Sequence, residues 1–312
     1  MRPTRSLAFL LALAAIVALG TFGLTQLHRE EPDALGLAPT RTAFVVEVNI
    51  EALKRAPWIA RAASDSAALR RLREDCGASI DAIQRVRGYL LLNDAGQLAE
   101  VVASAHGTFA LEELTQCVAR ANEGMGSALH ETEIEGTPAL ASDQGTSVAA
   151  PLGEHGVMTG PATAVASSLR QLAGETASAD AAWRPLWEGL QTRRDVRVVG
   201  TLPEDWRSFF GQRPRGDAHR PEHIAIGISL EHGVDAEASL AMPNEDDARS
   251  LASDIAHQLE AWRAREEFMR SALRPALMQT EARSEGAHVH VSLRLSETET
   301  IDALLLVRTL LN

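Results

Sequence analysis

The sequence predicts an α+β protein in which two similar units, each a mainly antiparallel sheet with helices packed on one face, follow an N-terminal apolar helix. Two observations predict this fold class. Strand-like segments occur in pairs around glycine-containing turns, and each pair is followed by a segment with helical periodicity. This order occurs twice in 312 residues, of which 45% are hydrophobic, so each unit can form its own core.

The N-terminal segment predicts export. Arg2 and Arg5 come before or at the start of a run from Ser6 to Leu24 that contains no charge. This run is intermediate in length between a cleavable signal peptide and a membrane-spanning helix. Residues 1–27 are therefore interpreted as a signal anchor or a signal peptide. The positive-inside rule then places the body on the periplasmic or exterior side of the inner membrane, or free in the periplasm after cleavage.

A short connection separates this segment from the folded part. Residues 28–42 contain acids, two prolines and no hydrophobic period, which is typical of a tether. The first α+β unit is predicted over residues 43–175 and the second over residues 176–312.

The elements of the first unit follow from alternating and helical patterns. In order, they are a strand over 44–48, a helix through 52–59, a hairpin of strands 86–92 and 98–105, a helix after Thr108, a hairpin between Glu131 and Val157, and a helix from Pro161 with Val165, Leu169 and Leu172 as its apolar stripe.

The second unit shows a similar order with clearer helix caps. It contains a strand over 195–199, a hairpin of strands 224–230 and 234–240, a helix capped by Asn244 that buries Leu251, Ile255, Leu259 and Trp262, a strand over 289–295, and a helix that opens with the capping box Ser296 to Glu299. Because residues 87–121 align with residues 223–259 in this order, we interpret the chain as a degenerate internal duplication. Two similar pieces without common ancestry are the alternative.

Charge and cysteine content limit the partners and the compartment. The net charge of -12 argues against nucleic-acid binding, which depends on basic residues that neutralise phosphates. Cys76 and Cys117 are the only cysteines, and an even number in an exported protein suggests a disulfide. Two free buried thiols are the alternative, whereas a redox pair lacks the C-x-x-C spacing.

Motifs for nucleophilic catalysis or phosphate binding are absent from the sequence. It contains no G-x-S-x-G, no serine three residues before a lysine, and no glycine-rich phosphate loop. His288 and His290 lie at strand spacing and could share a metal, but an exposed polar sheet face explains them fully and is favoured. His219 and His223 lie in a loop rich in arginine and proline, without a nearby carboxylate pair.

Acidic clusters have structural explanations. The Glu245, Asp246 and Asp247 carboxylates occupy a predicted helix N-terminus, where the helix dipole stabilises them. A second group of acids alternates along a strand and could bind a cation, although a charged edge strand that prevents aggregation explains it better. That group consists of Glu131, Glu133 and Glu135.

The chain resembles a group of exported proteins of myxobacterial type to which no activity is assigned. The resemblance rests on the strand VVEVNIEAL, a Cys-Gly ahead of the strand QRVRGYLLL, and the segment GTFALEELTQCVARA that carries the second cysteine. It is best over residues 43–121. The resemblance implies the α+β fold and a bridge between Cys76 and Cys117, and it transfers no catalytic residue.

These observations favour a non-catalytic cell-envelope protein, membrane-anchored or secreted, that acts through contacts with other envelope proteins or with a ligand. Two other classes stay open. One is a periplasmic enzyme whose site is dispersed in sequence, around His106, His155 and the acids. The other is a small-molecule or lipid-binding module. We expect no cofactor and no metal, and the sequence identifies no catalytic residue.

Overall fold

The computed structural model describes most of the body of the protein. The described residues are 33–59, 81–110, 112, 116, 129–142, 147–174, 182–190, 194–204, 220–266, 271–272 and 274–303. The chain divides into two compact units. The first comprises Met1–Asn93 and Leu98–Asp180, and the second comprises Asp94–Gln97 and Ala181–Asn312. The mixed α+β class with antiparallel strands is confirmed.

The predicted N-terminal apolar helix lies outside the described residues, and so do Cys76 and Cys117. Within the described ranges, no helix combines the length and the apolar character needed to cross a membrane. Packing begins earlier than residue 43, because a short 3-10 helix at Leu35–Leu37 has two buried leucines. The packed part of the chain therefore includes residues that the sequence assigns to the tether.

The described residues of the first unit form seven antiparallel strands in the order β1-β2-β3-β7-β6-β5-β4. The predicted hairpin at 86–92 and 98–105 is confirmed as β2 and β3. The single hairpin predicted between Glu131 and Val157 is wrong, because this region forms two hairpins. The strands are β1 (Thr42–Asn49), β2 (Ile83–Leu92), β3 (Leu98–Gly107), β4 (Leu129–Ile134), β5 (Thr137–Ser142), β6 (Ser147–Pro151) and β7 (Gly156–Pro161).

Two helices of the first unit have described bounds. Helix α1 (Ile50–Arg55) is capped by Asn49 and packs near β2, and helix α2 (Ala162–Leu172) packs near β6 and β7. The predicted burial of Leu172 in α2 is wrong, since 46% of this residue is exposed at the end of the helix. Most of the helix predicted after Thr108 lies outside the described residues.

In the part of the second unit that the structure describes, five antiparallel strands follow the order β8-β9-β10-β12-β11. The sequence prediction missed β11, which is a short, polar strand. The strands are β8 (Val196–Thr201), β9 (His223–Ser229), β10 (Val234–Ala241), β11 (Glu281–Glu285) and β12 (His288–Leu295), and the helices are α3 (Trp183–Gly189), α4 (Glu245–Arg263) and α5 (Arg274–Gln279).

Helix caps of the second unit agree with the sequence. The amide of Asp247 donates to the Asn244 side chain at 2.8 Å, which confirms the predicted N-cap of α4. The Ser296 amide donates to Glu299 at 2.8 Å, and the Glu299 amide donates back to the Ser296 hydroxyl, which confirms the capping box before helical residues 297–303. The Ser296 amide and hydroxyl both donate to the Glu299 carboxylate, which holds the pKa of Glu299 below its usual value. The predicted burial of Trp262 is wrong, because 37% of this residue is exposed.

Candidate functional site

A group of buried polar side chains lies on one face of the sheet in the first unit. We call it the buried cluster and define it as Glu47, Arg87, Tyr89, Ser104 and His106. Strand register brings its members together, since Glu47 of β1 lies opposite Arg87 of β2, and Arg87 lies opposite Ser104 of β3. Fully buried Val45, Val102 and Met158 surround them on the same face, so this is a polar patch in an apolar core.

An ion pair forms the centre of the buried cluster. The Arg87 Nε donates to Glu47 Oε2 at 2.8 Å, and the two side chains are only 3% and 5% exposed. Arg85 Nε lies 3.9 Å from the other carboxylate oxygen of Glu47. Charges removed from water are retained in a fold only when they are paired with good geometry, as this pair is.

His106 remains neutral near pH 7 in this environment. Burial, together with the positive charges of Arg87 and Arg85, lowers the pKa of His106 to about 4. The imidazole lies so close to Gly156 that a Cβ there would meet its Nδ1 at 2.8 Å. This histidine is therefore held in a tight, electropositive site.

Tyr89 and Ser104 complete the buried cluster. Burial raises the pKa of Tyr89, whose hydroxyl lies beside Ser104. Within the described ranges, neither hydroxyl meets hydrogen-bond geometry with a partner. All five members are less than a tenth exposed. The cluster can hold charge inside the sheet, but it does not present a reactive group to solvent.

A second set of charges lies on an open sheet face of the second unit. We call it the open network and define it as Arg194, Asp235, Glu237, His290 and Arg294. Asp235 of β10 lies opposite Arg294 of β12, and their charged atoms are 3.7 Å apart. The side chains of Asp235, Glu237 and Arg294 are 45%, 40% and 80% exposed and accessible from solvent, whereas the Arg194 side chain is only 9% exposed.

Arg194 connects the strands of the open network. Its Nη1 donates to the carbonyl of Asp235 at 3.0 Å and lies 3.4 Å from the Asp235 carboxylate, while Nη2 lies 3.5 Å from Glu237. The stem of Arg194 crosses β9 at Gly227, where a Cβ would meet Arg194 Cγ at 2.9 Å. The missing side chain at Gly227 thus creates the path that Arg194 follows.

The histidines considered as metal ligands lie on the same face as the open network. The ring centroids of His288 and His290 are 6.2 Å apart, and His290 Nδ1 lies 3.7 Å from Glu237. Burial and the neighbouring His290 lower the pKa of His288, whose Nδ1 is 3.3 Å from the Ser239 hydroxyl. In the described part of the chain, no three His, Cys, Asp or Glu side chains converge to hold a metal ion.

The other candidates are dispersed. His223 Nδ1 is 3.1 Å from the Thr201 hydroxyl, and His219 lies outside the described residues. The side chain of His155 is half exposed next to Glu154, whereas His106 is buried. Glu131 and Glu133 are exposed on β4, the outer strand of the first unit, and Glu135 pairs with Arg170. The acids at 245–247 occupy the first turn of α4.

The sequence prediction missed both charge sets. Glu47 and Arg87 each interrupt an apolar strand, and this repeated interruption was the available signal for a buried pair. The members of the open network come from β10, β12 and the residue two positions before β8, so no local spacing reveals them.

Together, the fold and these charge sets define an α+β protein of antiparallel sheets with one closed and one open polar region. No family model matches the chain, and no curated protein matches it in sequence. Solved structures of TP0453 are similar in fold. Crystal form III matches with a TM-score of 0.56 and 12% identity, covering 89% of this chain and 99% of that chain. Crystal form I matches with a TM-score of 0.53 and 11% identity, covering 89% and 98%. At this identity, the likeness concerns the fold.

Proposed function

We propose that the protein is a non-catalytic cell-envelope protein that contacts another envelope protein through the open network of its second unit. One observation carries the proposal. In the open network, the nearly buried Arg194 holds the accessible carboxylates of Asp235 and Glu237, so accessible charge is combined with fixed geometry. Accessible, ordered charges give specificity and a faster approach to a partner of complementary charge. The buried cluster serves the stability of the first unit.

The proposed location follows from residues 1–27. We propose that this segment is retained as an anchor in the inner membrane, with the body facing the periplasm or the exterior, because its uncharged run is long enough to span a bilayer. Secretion into the periplasm after cleavage is the alternative. The intact mass of the mature protein separates the two, and the same measurement with thiol alkylation tests the predicted bridge between Cys76 and Cys117.

We also propose that the two units are a degenerate repeat. Each unit has a first strand, then a hairpin, then a later hairpin. The second strand of the later hairpin pairs with the second strand of the earlier hairpin, β7 with β3 and β12 with β10. In strand order, β1-β2-β3-β7-β6 corresponds to β8-β9-β10-β12-β11. In both units, a helix follows the second strand of the later hairpin. This helix is α2 after β7 and residues 297–303 after β12. This shared order supports duplication more strongly than the aligned segments alone.

A charge-reversal comparison tests the proposed contact. Asp235→Lys/Glu237→Lys reverses the acids of the open network, and Glu131→Lys/Glu133→Lys makes the same change in net charge on the outer strand β4. Proteins that copurify with each full-length variant from solubilised membranes are quantified against wild type. We expect one defined partner to decrease at least tenfold with the first variant only. Equal recovery with both variants would contradict the proposal, and turnover of a small molecule would favour the enzyme alternative.

A further inference from the structure

The chain ahead of β1 is bound to the first unit. We call residues 33–41 the strap. Ala34, Leu35, Leu37 and Ala38 are each at most 3% exposed. The 3-10 helix of the strap packs near α2. Burial of two leucine side chains removes a large apolar surface from water, so the strap stays docked in the folded unit.

Helix α2 carries two serines that hold the strap. The Ser168 hydroxyl donates to the Leu37 carbonyl at 2.7 Å, and the Thr40 amide donates to the Ser167 hydroxyl at 3.1 Å. Both serines are buried in the helix, where apolar residues would otherwise be expected. Their hydroxyls satisfy backbone groups of the strap, which explains polar residues at these positions.

The strap ends in a backbone conformation that its docking imposes. Arg41 has a φ of 72°, in the left-handed region that non-glycine residues rarely adopt. Its carbonyl accepts a hydrogen bond from the Leu92 amide at 3.0 Å, so the turn into β1 is held at both ends. Such conformations persist where the surrounding structure fixes them.

Docking of the strap shortens the connection to the N-terminal segment. Residues 28–32 are the only ones left between the predicted segment 1–27 and the strap. Five residues reach at most about 18 Å, whereas the fourteen residues 28–41 would reach about 50 Å if they were all extended. The strap therefore limits how far the body can move from the end of the apolar segment.

We propose that the strap makes the side of the first unit at Asp33 face the lipid bilayer and holds the body within about 20 Å of the membrane surface. This inference rests on the proposed retention of residues 1–27. The partner of this side of the first unit is thus the lipid bilayer, and the unit is held beside it by a connection of five residues.

The test uses the full chain in supported bilayers and measures the protein density profile by neutron reflectometry. The variant Leu35→Asp/Leu37→Asp undocks the strap, and Ser167→Ala/Ser168→Ala weakens it without adding charge. Leu172→Asp on the same helix is the matched control, because Leu172 is exposed. Trypsin cleavage after Arg41 reports undocking independently. We expect the wild-type and control bodies to lie against the headgroups, and the undocked body to shift and broaden outward by on the order of 10 Å.

Two results would overturn this inference. One is a wild-type body already separated from the headgroups by more than the five-residue reach. The other is an unchanged profile in a variant that trypsin cleaves after Arg41 while the rest of its tryptic pattern matches wild type. The intact mass, measured on the same samples, shows whether residues 1–27 are retained and so tests the proposed anchor separately. If residues 1–27 are removed, both the proposed anchor and the proposed membrane role of the strap are wrong. If residues 1–27 are retained and either of the two results above is found, only the proposal for the strap is wrong.

Discussion

The buried cluster of the first unit keeps its charges inside the sheet, whereas the open network of the second unit keeps its acids on an open face. In the buried cluster, Arg87 and Glu47 are 2.8 Å apart and almost fully shielded from water. In the open network, Arg194 reaches Asp235 and Glu237 at 3.4 and 3.5 Å, and both acids are close to half exposed. The same chemical groups therefore have different consequences in the two units.

The different degree of burial explains why the two charge sets have different consequences. A buried pair contributes little net stability compared with an apolar replacement, but loss of one partner leaves an uncompensated charge in the core. An exposed pair interacts weakly through water and salt, and can exchange partners at low cost. The buried cluster is thus suited to a structural role, and the open network to reversible contacts.

The largest expected effect comes from breaking the buried pair. Arg87→Met leaves the Glu47 carboxylate without its closest cation, so the free energy of unfolding should decrease by about 3 to 5 kcal/mol. Urea unfolding followed by circular dichroism measures the change. Adding Glu47→Leu should recover a large part of the loss, since the unpaired charge is then removed. A double variant no more stable than Arg87→Met would show that the pair is not the cause.

Acid should destabilise the first unit through His106. Its folded-state pKa of about 4 lies below the ordinary 6.5, so the stabilisation is fully present above pH 6.5 and is lost as the pH falls toward 4. The difference corresponds to roughly 3 kcal/mol. Urea unfolding between pH 7 and pH 4 should show this decrease in wild type and a smaller one in His106→Gln. Parallel pH profiles would contradict the role of His106.

Two glycine substitutions compare the units directly. In Gly156→Ala the new Cβ meets the His106 ring at 2.7 Å and the Leu152 carbonyl at 2.8 Å, and backbone cannot move away easily. We expect a loss of about 2 kcal/mol. In Gly227→Ala the contact is the Arg194 stem at Cγ, which must shift, but a side chain moves at lower cost than backbone, so the loss should be smaller, about 1 kcal/mol. Equal losses in thermal or urea unfolding would contradict the comparison.

The smallest effect is expected in the open network. Arg294→Met removes the charge of the most exposed member, whose side chain is 80% exposed, and should cost at most about 1 kcal/mol at low salt. Salt at 1 M screens exposed pairs, so the difference from wild type should become smaller in urea unfolding. A loss that is independent of salt would show that Arg294 does not act through its charge.

Local patterns predicted much of the fold. The hairpin of β2 and β3, the Asn244 cap and the capping box at Ser296 are all determined by residues that are close in sequence. Strands β5 and β6 were missed as separate elements because they are short and contain small residues and proline, which give little alternation. Burial of Leu172 and Trp262 was predicted wrongly, since helical periodicity does not show where a helix extends past its neighbours.

The charge sets could not be predicted in full because they depend on strand register. Glu47 and Arg87 are 40 residues apart in sequence, and Arg194 and Asp235 are 41 residues apart. Only the pairing of strands brings these side chains together. A charged residue inside an apolar strand indicates that a partner exists, but it does not identify which residue that partner is.

Site-specific photo-crosslinking in living cells tests the proposed contact most directly. A photoreactive amino acid is placed at Arg294, an exposed member of the open network, and at Arg249 on α4, which is similarly exposed. The proposed function predicts one crosslinked product of defined mass from position 294, absent from position 249 and lost in Asp235→Lys/Glu237→Lys. No product from position 294, or the same product from both positions, would contradict it.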